Sequence, residues 1–344
     1  MRKVAVIGTT AWGTTLAVML AARDMEVMIW ARTEDEAERL NRDRENAAHL
    51  PAVSFPERLR ATSSAAEALE GADLAILAVP SQTMRNNLSA IRDHLREPVS
   101  ILSLSKGIEI ETTRRMSEVI AEELAPDFSD RIAVLSGPNF AREVVQGLPT
   151  ATVIAAANIE FAERIQKTIS SPNFRAYVND DIVGVELAGA LKNIIALAAG
   201  MSDGLGYGDN SRAALITRGL AEITRLGVAA GARPLTFAGL AGIGDLVATC
   251  TSQLSRNRFV GQELARGRPL QEITSSMSGI AEGVDTAAAA RRLAHRLGVE
   301  MPVTEQVYRV LFEGLAVKEG VPALMERELK HEVSADIPIP KSLS

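Results

Sequence analysis

Short runs of aliphatic and β-branched residues alternate with stretches of helical pattern through the first half of the chain. Unbroken aliphatic runs are typical of strands that are buried on both faces of a parallel sheet. Parallel strands joined through helices follow right-handed crossovers. The alternation therefore predicts a doubly wound α/β sheet with helices on both faces. The predicted strands are residues 4–7, 26–30, 74–79, 100–104, 132–135, 152–156 and 174–178, and the first predicted helices are residues 13–23 and 34–44.

The second half has a different pattern, because β-branched clusters stop after about Asp180 and long segments periodic in alanine and leucine take over. The chain has 344 residues, more than the roughly 100–200 usual for one domain. We therefore expect an α/β domain over residues 1–181, an all-helical domain over residues 182–332 and a frayed tail over residues 333–344. The helices predicted in the second domain are residues 182–201, 211–231, 235–249, 256–267, 281–297 and 304–313.

Composition excludes several classes of function. A net charge of −6 provides no basic surface for a polyanion, so we expect no nucleic-acid partner. Cys250 is the only cysteine, which indicates a reducing compartment. The four histidines are scattered without ligand spacing, so no metal site is expected. The start of the chain lacks the apolar stretch of a signal peptide, and the most apolar run, residues 183–201, contains Glu186 and Lys192. We therefore expect a cytoplasmic protein with no membrane span.

A glycine-containing loop directly follows the first predicted strand. Residues 8–13 read Gly-Thr-Thr-Ala-Trp-Gly and lead into the first predicted helix, the context in which a G-x-G-x-x-G loop binds a dinucleotide pyrophosphate at a helix N-terminus. The middle glycine is replaced by Thr10, which adds a Cβ in a crowded place and a hydroxyl that is able to donate. The pattern predicts a Rossmann-type dinucleotide-binding domain followed by a substrate-binding domain, although an ordinary strand-to-helix turn also matches it.

The end of the second predicted strand bears on the choice of dinucleotide. NAD sites tend to carry an acid about twenty residues after the loop, which accepts a hydrogen bond from the adenosine ribose. This chain has Arg32 there, and a guanidinium suits a 2′-phosphate. The sequence therefore favours NADP(H) with NAD(H) tolerated, and the alternative is that Arg32 only faces solvent.

Lys192 lies in a stretch that is apolar on nearly every side. Among residues 183–201 the polar positions are Glu186, Lys192 and Asn193, so the helix should be buried. Desolvation lowers the pKa of a buried lysine and makes it a competent general base, whereas a bound phosphate dianion raises that pKa. The alternative is a lysine that reaches water or pairs with Glu186.

Several further blocks of sequence form a recognisable series. The blocks are residues 6–8 with 11–17, 104–108, 136–143, Glu186 with Lys192-Asn193, 201–204, 242–246, 249–251 and 255–258. Together, and in order from about Val4 to about Lys330, they resemble bacterial NAD(P)-dependent glycerol-3-phosphate dehydrogenase. The chain departs from the family pattern at Thr10, at Ala11, at His49 and at Asn139, and Thr10 bears most on cofactor affinity.

The resemblance implies a role for each matching residue. Lys192 would accept the proton of the substrate hydroxyl during oxidation and return it during reduction, and Asp245 would bind substrate or orient Lys192. Lys106 would contact both substrate and cofactor. The substrate contacts would be Lys106, Gly137, Asn139, Lys192, Asp245, Ser255, Arg256 and Asn257. The cofactor contacts, including the loop residues and Arg32 discussed above, would be Gly8, Thr10, Ala11, Trp12, Gly13, Arg32, His49, Lys106, Ala141, Arg256, Ile280 and Glu282.

The resemblance implies that the segment Ser255-Arg256-Asn257 holds the substrate phosphate. The chemistry is compatible, since a guanidinium, a hydroxyl and an amide at a helix start are donors that a dianion needs. A plain helix N-cap is the other interpretation of these residues.

The function implied by the resemblance is interconversion of dihydroxyacetone phosphate and sn-glycerol 3-phosphate with NADPH or NADH. The product would supply phospholipid synthesis. Separately, the alanine-rich helices of the second half could pair in a homodimer, and the alternative is that these surfaces are internal core. One alternative is another two-domain dehydrogenase, of the hydroxyacid type or of the sugar-nucleotide type, which works through a cysteine and would have to use Cys250. Another is a non-catalytic NADP-binding sensor, suggested by Thr10 in the loop.

Overall fold

The computed structural model describes residues 1–96, 98–124, 126–277 and 279–325. Within these ranges, strands β1 to β10 are Lys3–Ile7, Glu26–Trp30, Glu45–Asn46, Leu50–Ser54, Leu59–Thr62, Leu74–Leu77, Ser100–Ser103, Ile132–Ser136, Thr150–Ala156 and Phe174–Asn179. Helices α1 to α16 are Ala11–Ala21, Glu34–Asp43, Ala65–Leu69, Met84–Ile91, Met116–Glu123, Ala141–Val145, Ile159–Ile169, Ile182–Gly204, Asp209–Ala229, Pro234–Phe237, Asp245–Thr251, Arg256–Ala265, Leu270–Ser275, Gly283–Leu297, Pro302–Phe312 and Val317–Met325. The tail predicted over residues 333–344 lies outside the described residues.

The first part of the chain forms an eight-stranded sheet in the order β10-β9-β8-β7-β6-β1-β2-β5. Both faces of the sheet are covered. Successive residues of a strand point to opposite faces, and alternate residues of β1 belong to two different apolar clusters. Val4 and Val6 pack with Leu16 and its neighbours, whereas Ala5 and Ile7 belong to the cluster on the opposite face. The predicted α/β class, with a Rossmann-type sheet followed by a helical part, is confirmed.

The prediction of a uniformly parallel sheet is wrong at one edge. Strand β9 runs antiparallel to β8, and β10 runs parallel to β9. Between Ser136 and Thr150 the chain holds only the five-residue helix α6, which is too short to carry it back along the sheet for a parallel crossover. The local sequence of β9 gives no sign of this, since an aliphatic run has the same pattern in either direction.

The sequence also missed the short strands between α2 and α3. Strand β5 reads Leu-Arg-Ala-Thr and extends the sheet edge beside β2. Strands β3 and β4 form a separate antiparallel pair. These segments are too short and too polar to show the aliphatic pattern that identified the other strands.

Helix α8 is the central element of the second part of the chain. The predicted helix 182–201 is confirmed and continues to Gly204. Helix α12 crosses α8 with the two backbones in contact at glycines. A Cβ built on Gly261 would lie 2.0 Å from the Leu197 carbonyl oxygen, and one built on Gly200 would lie 1.9 Å from the Arg258 carbonyl oxygen. This approach places the first turn of α12 beside the middle of α8.

The single helix predicted over residues 235–249 is wrong. The chain forms α10, a π-helical turn over Leu240–Gly244, and then α11. Gly242 lies inside this turn with a non-helical backbone, and a Cβ there would lie 2.0 Å from the Phe237 carbonyl oxygen. Because only glycine fits this approach, the break is built into the sequence, and it places Asp245 in the first turn of a new helix.

Two helical stretches of the described chain, Ile182–Gly204 and Pro234–Thr251, are long and apolar enough to cross a membrane by length and composition alone. Of the more apolar one, 78% of the apolar window is buried inside the protein. We therefore interpret Ile182–Gly204 as a core helix of the second part of the chain.

The close crossing of α8 and α12 predicts that Gly261→Ala destabilises the protein by about 2 kcal/mol or more, because the added methyl group overpacks a backbone contact. Thermal and urea unfolding followed by circular dichroism measure the effect. The matched control is Gly320→Ala in α16, where the nearest atom would be 3.8 Å away. The control should be neutral or stabilised by up to about 1 kcal/mol, and equal unfolding midpoints for the two variants would contradict the prediction.

Candidate active site

One buried carboxylate joins two lysines from different parts of the fold. Asp245 begins α11, Lys192 lies in the middle of α8, and Lys106 follows β7. The Asp245 Oδ1 atom lies 2.6 Å from the Lys192 Nζ atom, and Oδ2 lies 2.9 Å from the Lys106 Nζ atom. The structure thus brings together the three residues expected to be catalytic, which are far apart in the sequence.

Lys192 has a second partner that the sequence did not single out. Its Nζ atom donates to the Thr249 hydroxyl oxygen at 2.6 Å, and Thr249 donates to Asp245 Oδ1 at 3.2 Å. The Lys192 side chain is 7% exposed, so it does not extend into solvent. Glu186 is not its partner, because that carboxylate accepts hydrogen bonds from Arg115 and Ser117. The spacing of Thr249 four residues after Asp245, on one face of α11, is the signal in the sequence that identifies it.

Burial sets the protonation of this cluster. Desolvation lowers the pKa of Lys192 to about 8, although the negative charge of Asp245 acts in the opposite direction. Burial alone would raise the pKa of Asp245, but the ammonium groups of Lys106 and Lys192 outweigh it and hold that pKa below its ordinary value. Asp245 therefore stays ionised, whereas Lys192 is able to gain and lose a proton close to physiological pH.

Lys106 is held at a fixed position by three acceptors. In addition to Asp245, its Nζ atom donates to the Gly137 carbonyl oxygen at 2.9 Å and to Asn139 Oδ1 at 3.0 Å. Asn139 is oriented in turn by Thr152, to whose hydroxyl it donates at 3.3 Å. Gly137 has φ +140°, which favours glycine. The substitution of asparagine at position 139 thus supplies an acceptor for the Lys106 ammonium.

A chain of amides connects this cluster to the helix starts around it. Asn193 donates to the Lys106 carbonyl oxygen at 3.4 Å, and Asn257 donates to Asn193 Oδ1 at 2.9 Å. The backbone N–H of Gly283 donates to Asn257 Oδ1 at 3.0 Å. The Asn257 side chain, which we expected to bind the substrate phosphate, is therefore buried and engaged inside the protein.

The three residues of the expected phosphate site have different environments. Ser255 is the N-cap of α12 and accepts a hydrogen bond from the Arg258 N–H at 3.2 Å. Arg256 is exposed, and no described residue accepts a hydrogen bond from its guanidinium. A Cβ on Gly279 would lie 2.1 Å from Arg256 Nη1, so the guanidinium packs directly on the Gly279 backbone. The N-cap interpretation is confirmed for Ser255, while Arg256 remains free to meet an anion.

Glu282 bridges the two parts of the chain beside Arg256. Its Oε1 atom accepts from the backbone N–H of Ser81 at 3.0 Å, and the Ser81 hydroxyl donates to Oε2. Burial raises the pKa of Glu282, although the hydrogen bonds from Ser81 act in the opposite direction. Ile280, two residues earlier, is 47% exposed. Ser81 had no signal in the sequence, because its role depends on a contact across 201 positions.

The dinucleotide loop lies between β1 and α1, at the point where β1 pairs with β2 on one side and β6 on the other. Gly8 has φ +103°, and a Cβ there would lie 2.9 Å from the Ala78 carbonyl oxygen. Thr10 is the N-cap of α1: its hydroxyl donates to the Ala78 carbonyl oxygen at 2.9 Å and accepts from the Gly13 N–H at 3.2 Å. The departure at Thr10 is thus accommodated, and its hydroxyl is used within the protein.

The loop residues fit a dinucleotide. The indole N–H of Trp12 is buried without a hydrogen-bond partner, while its ring packs on Phe174 with centroids 5.9 Å apart. A Cβ on Gly13 would lie 2.5 Å from the Ala78 Cβ, so glycine is required for the close helix–strand packing of such loops. The first-turn N–H groups of α1 at the carboxyl end of β1 are the donors that a pyrophosphate needs. Ala11 and Ala141 begin α1 and α6.

Two expected cofactor residues lie on exposed segments near this loop. Arg32 follows β2, and His49 lies between β3 and β4; both are exposed. The hairpin that carries His49 is anchored to the loop by Asn46, which donates to the Thr9 carbonyl oxygen and the Thr14 hydroxyl at 2.8 Å each. Asn46 was not identified from the sequence.

Cys250 is unsuited to covalent chemistry. The side chain is fully buried, and burial raises the pKa of its thiol to about 12. A thiol in that state is a poor nucleophile. Within the described residues, no group of three or more His, Cys, Asp or Glu side chains is placed to hold a metal ion.

Two family models match the chain. The model described as NAD-dependent glycerol-3-phosphate dehydrogenase N-terminus matches residues 3–162, and the model of the C-terminus of the same enzyme matches residues 181–322.

Relatives and solved structures agree with the family models. A glycerol-3-phosphate dehydrogenase [NAD(P)+] of Dehalococcoides mccartyi is 54% identical over 335 residues, which is 97% of this chain and 93% of that protein. A crystal structure of glycerol-3-phosphate dehydrogenase from Coxiella burnetii has a TM-score of 0.90 at 38% identity and covers 95% of this chain and 99% of that one. A ketopantoate reductase from Ralstonia eutropha, with a TM-score of 0.60 at 18% identity, shares the fold alone. The chain belongs to the NAD(P)-dependent glycerol-3-phosphate dehydrogenase family.

Proposed function

We propose that the chain interconverts dihydroxyacetone phosphate and sn-glycerol 3-phosphate, with Lys192 as the group that exchanges the substrate proton. The observation that carries the proposal is the buried Lys192 ammonium, held by Asp245 and Thr249 with a pKa lowered to about 8. A general acid–base group works best when its pKa lies near the operating pH. The cofactor, NADH or NADPH, supplies the hydride when bound.

Lys192 and Lys106 have different roles at the substrate oxygen. During reduction Lys192 gives a proton to the former carbonyl oxygen, and during oxidation it takes the hydroxyl proton back. The Lys106 ammonium, fixed by Gly137, Asn139 and Asp245, stabilises negative charge that develops on that oxygen. Asp245 orients both ammonium groups and offsets their charge, so it acts by positioning them as well as by contact with substrate.

Arg256 is the proposed anchor for the substrate phosphate. Arg256 is an exposed residue at the start of α12, where the helix dipole also favours an anion. Its guanidinium packs on the Gly279 backbone, and partial desolvation there lowers its pKa, which strengthens its pairing with a bound anion.

The Ser255 hydroxyl accepts from the Arg258 N–H, and we propose that its own proton is donated to the phosphate. Asn257 is engaged with Asn193 and Gly283, so we propose that it acts by fixing the helix start rather than by touching the phosphate. Anchoring one end of a small substrate fixes its carbonyl relative to Lys192.

The geometry of the site bears on the reaction and not on the metabolic pathway, the location in the cell or the oligomeric state. Supply of sn-glycerol 3-phosphate to phospholipid synthesis, a cytoplasmic location and a homodimer stay predictions from the sequence. The alternative of a dehydrogenase that works through a cysteine has no support, because Cys250 is buried and burial keeps its side chain in the protonated thiol form.

The direct test of the proposed function is the loss of NADH or NADPH absorbance on adding dihydroxyacetone phosphate or dihydroxyacetone. We expect kcat/KM for the phosphorylated substrate to exceed that for dihydroxyacetone by roughly 10²-fold or more, because the phosphate pairs with Arg256. Arg256→Met should remove most of this difference. Dinucleotide binding without turnover of either substrate would leave a sensor as the better interpretation.

Loss of the Lys192 amine should abolish proton exchange while leaving the dinucleotide loop intact. We expect Lys192→Ala to lower kcat by about 10²–10⁴-fold, with NADH affinity, measured by fluorescence titration, unchanged. The control is Lys167→Ala at an exposed position of α7, which should keep full activity. Near-normal turnover of Lys192→Ala would remove this residue from the mechanism.

The rate of oxidation should report the pKa of Lys192. Because the neutral amine accepts the proton, kcat/KM for sn-glycerol 3-phosphate should rise with pH and level off above an apparent pKa of about 8. Asp245→Asn removes a charge that raises the pKa of Lys192, so the rise should move to lower pH. Thr249→Val changes no charge and should keep the midpoint while lowering the rate. A midpoint that is the same in Asp245→Asn would contradict this assignment.

A further inference from the structure

A carboxylate lies against the dinucleotide loop at the carboxyl end of β2. The Glu36 Oε1 atom accepts a hydrogen bond from the Thr9 hydroxyl at 2.8 Å, and Oε2 accepts from the backbone N–H of Arg32 at 3.3 Å. Glu36 lies in the first turn of α2, where its own N–H donates to the N-cap Thr33 at 3.3 Å. Its carboxylate is therefore fixed between the loop and the end of the strand.

The sheet places this carboxylate beside the end of β2 and the glycine-containing loop, the region that receives the adenosine ribose in Rossmann folds. Strands β1 and β2 are parallel neighbours with Ile7 opposite Trp30, and the Gly8 N–H donates to the Trp30 carbonyl oxygen at 3.1 Å. In Rossmann sites an acid near the end of the second strand accepts from the ribose 2′-hydroxyl, while an arginine there accommodates a 2′-phosphate. This chain has both kinds of residue at that place, and the acid comes from the helix rather than from the strand end.

Glu36 and Arg32 differ in how rigidly they are held for contact with the 2′ group of a ribose. Glu36 is held by two hydrogen bonds. Arg32 is exposed, and no described residue accepts a hydrogen bond from its guanidinium, so binding a phosphate would require ordering a long side chain at an entropic cost. A 2′-hydroxyl would donate to the fixed carboxylate, whereas a 2′-phosphate would meet a like charge.

We propose that Glu36 sets the cofactor preference of this chain and biases it toward NAD(H). Arg32 allows NADP(H) to bind as well, with lower affinity. The inference rests on the proposed function for its dinucleotide site and names the residue that discriminates within that site. It reverses the preference for NADP(H) that Arg32 alone suggests.

The test compares the binding of adenosine 5′-monophosphate with that of adenosine 2′,5′-bisphosphate by titration calorimetry, because the two ligands differ only in the 2′-phosphate. Glu36→Gln keeps the shape of the side chain and a hydrogen-bond acceptor but removes the charge. We expect it to tighten binding of the bisphosphate by about tenfold or more, as for one lost charge repulsion. Binding of the monophosphate should weaken, because a neutral amide oxygen is a poorer acceptor for the 2′-hydroxyl than a carboxylate. An unchanged ratio of the two affinities overturns the proposal.

Asp35→Asn is the matched control. Asp35 precedes Glu36 in the same helical turn and is exposed, so the substitution removes the same charge without touching the loop. Its effect on the ratio should stay within about twofold. An effect equal to that of Glu36→Gln would mean that general electrostatics, and not this carboxylate, sets the preference. Arg32→Ala should act in the opposite direction and weaken binding of the bisphosphate alone.

Turnover gives a second and independent result. In the assay with dihydroxyacetone phosphate, Glu36→Gln should raise the ratio of kcat/KM for NADPH to that for NADH by about tenfold. The nucleotide titration needs no turnover, so the expected binding ratios in a chain that lacks activity would overturn the proposed function and support the role of Glu36. Full activity with a wild-type cofactor ratio in Glu36→Gln would overturn only this inference.

Discussion

The shared carboxylate of Asp245 is the interaction on which the site depends. Two ammonium groups lie within 2.9 Å of its oxygens, and both lysines are largely removed from water. Buried charges are stable only when they are paired and hydrogen-bonded, and removal of one partner leaves an uncompensated charge. One carboxylate between two lysines leaves a net positive charge, which suits a site for an anionic substrate and for an oxygen that gains negative charge.

Backbone contacts hold the three residues in place. The Gly200 and Gly261 contacts bring α12 against α8, and the break at Gly242 starts α11 at Asp245. Lys106 comes from the other part of the chain, in the segment after β7, and its backbone carbonyl accepts a hydrogen bond from Asn193 of α8. The amides of Asn193 and Asn257 then connect these elements through direct hydrogen bonds. The geometry of the cluster is thus a property of helix packing, and small residues at the crossings are as necessary as the charged ones.

The dinucleotide end shows how a departure from a motif is absorbed. Thr10 replaces a glycine, yet its hydroxyl caps α1 and bonds to Ala78, so the loop keeps its course between β1 and the helix. Thr9 is fixed on one side by Glu36 and on the other by Asn46. Side chains outside the motif therefore hold the loop where the motif itself is incomplete, and one of them, Glu36, adds a carboxylate beside the end of β2.

The sequence by itself determined the α/β sheet and the helical second part, because periodicity is a local signal, and it singled out Lys192 as a lone lysine in an apolar helix. The family resemblance supplied Lys106 and Asp245. Only the tertiary structure decided the antiparallel edge at β9, the break in the helix predicted over residues 235–249, and the partners of Lys192. It also revealed the contacts of Ser81 with Glu282 and of Glu36 with Thr9, which join distant segments and leave no periodic trace along the chain. Thr249 lies four residues after Asp245, a spacing visible in the sequence, but its contact with Lys192 is visible only in the fold.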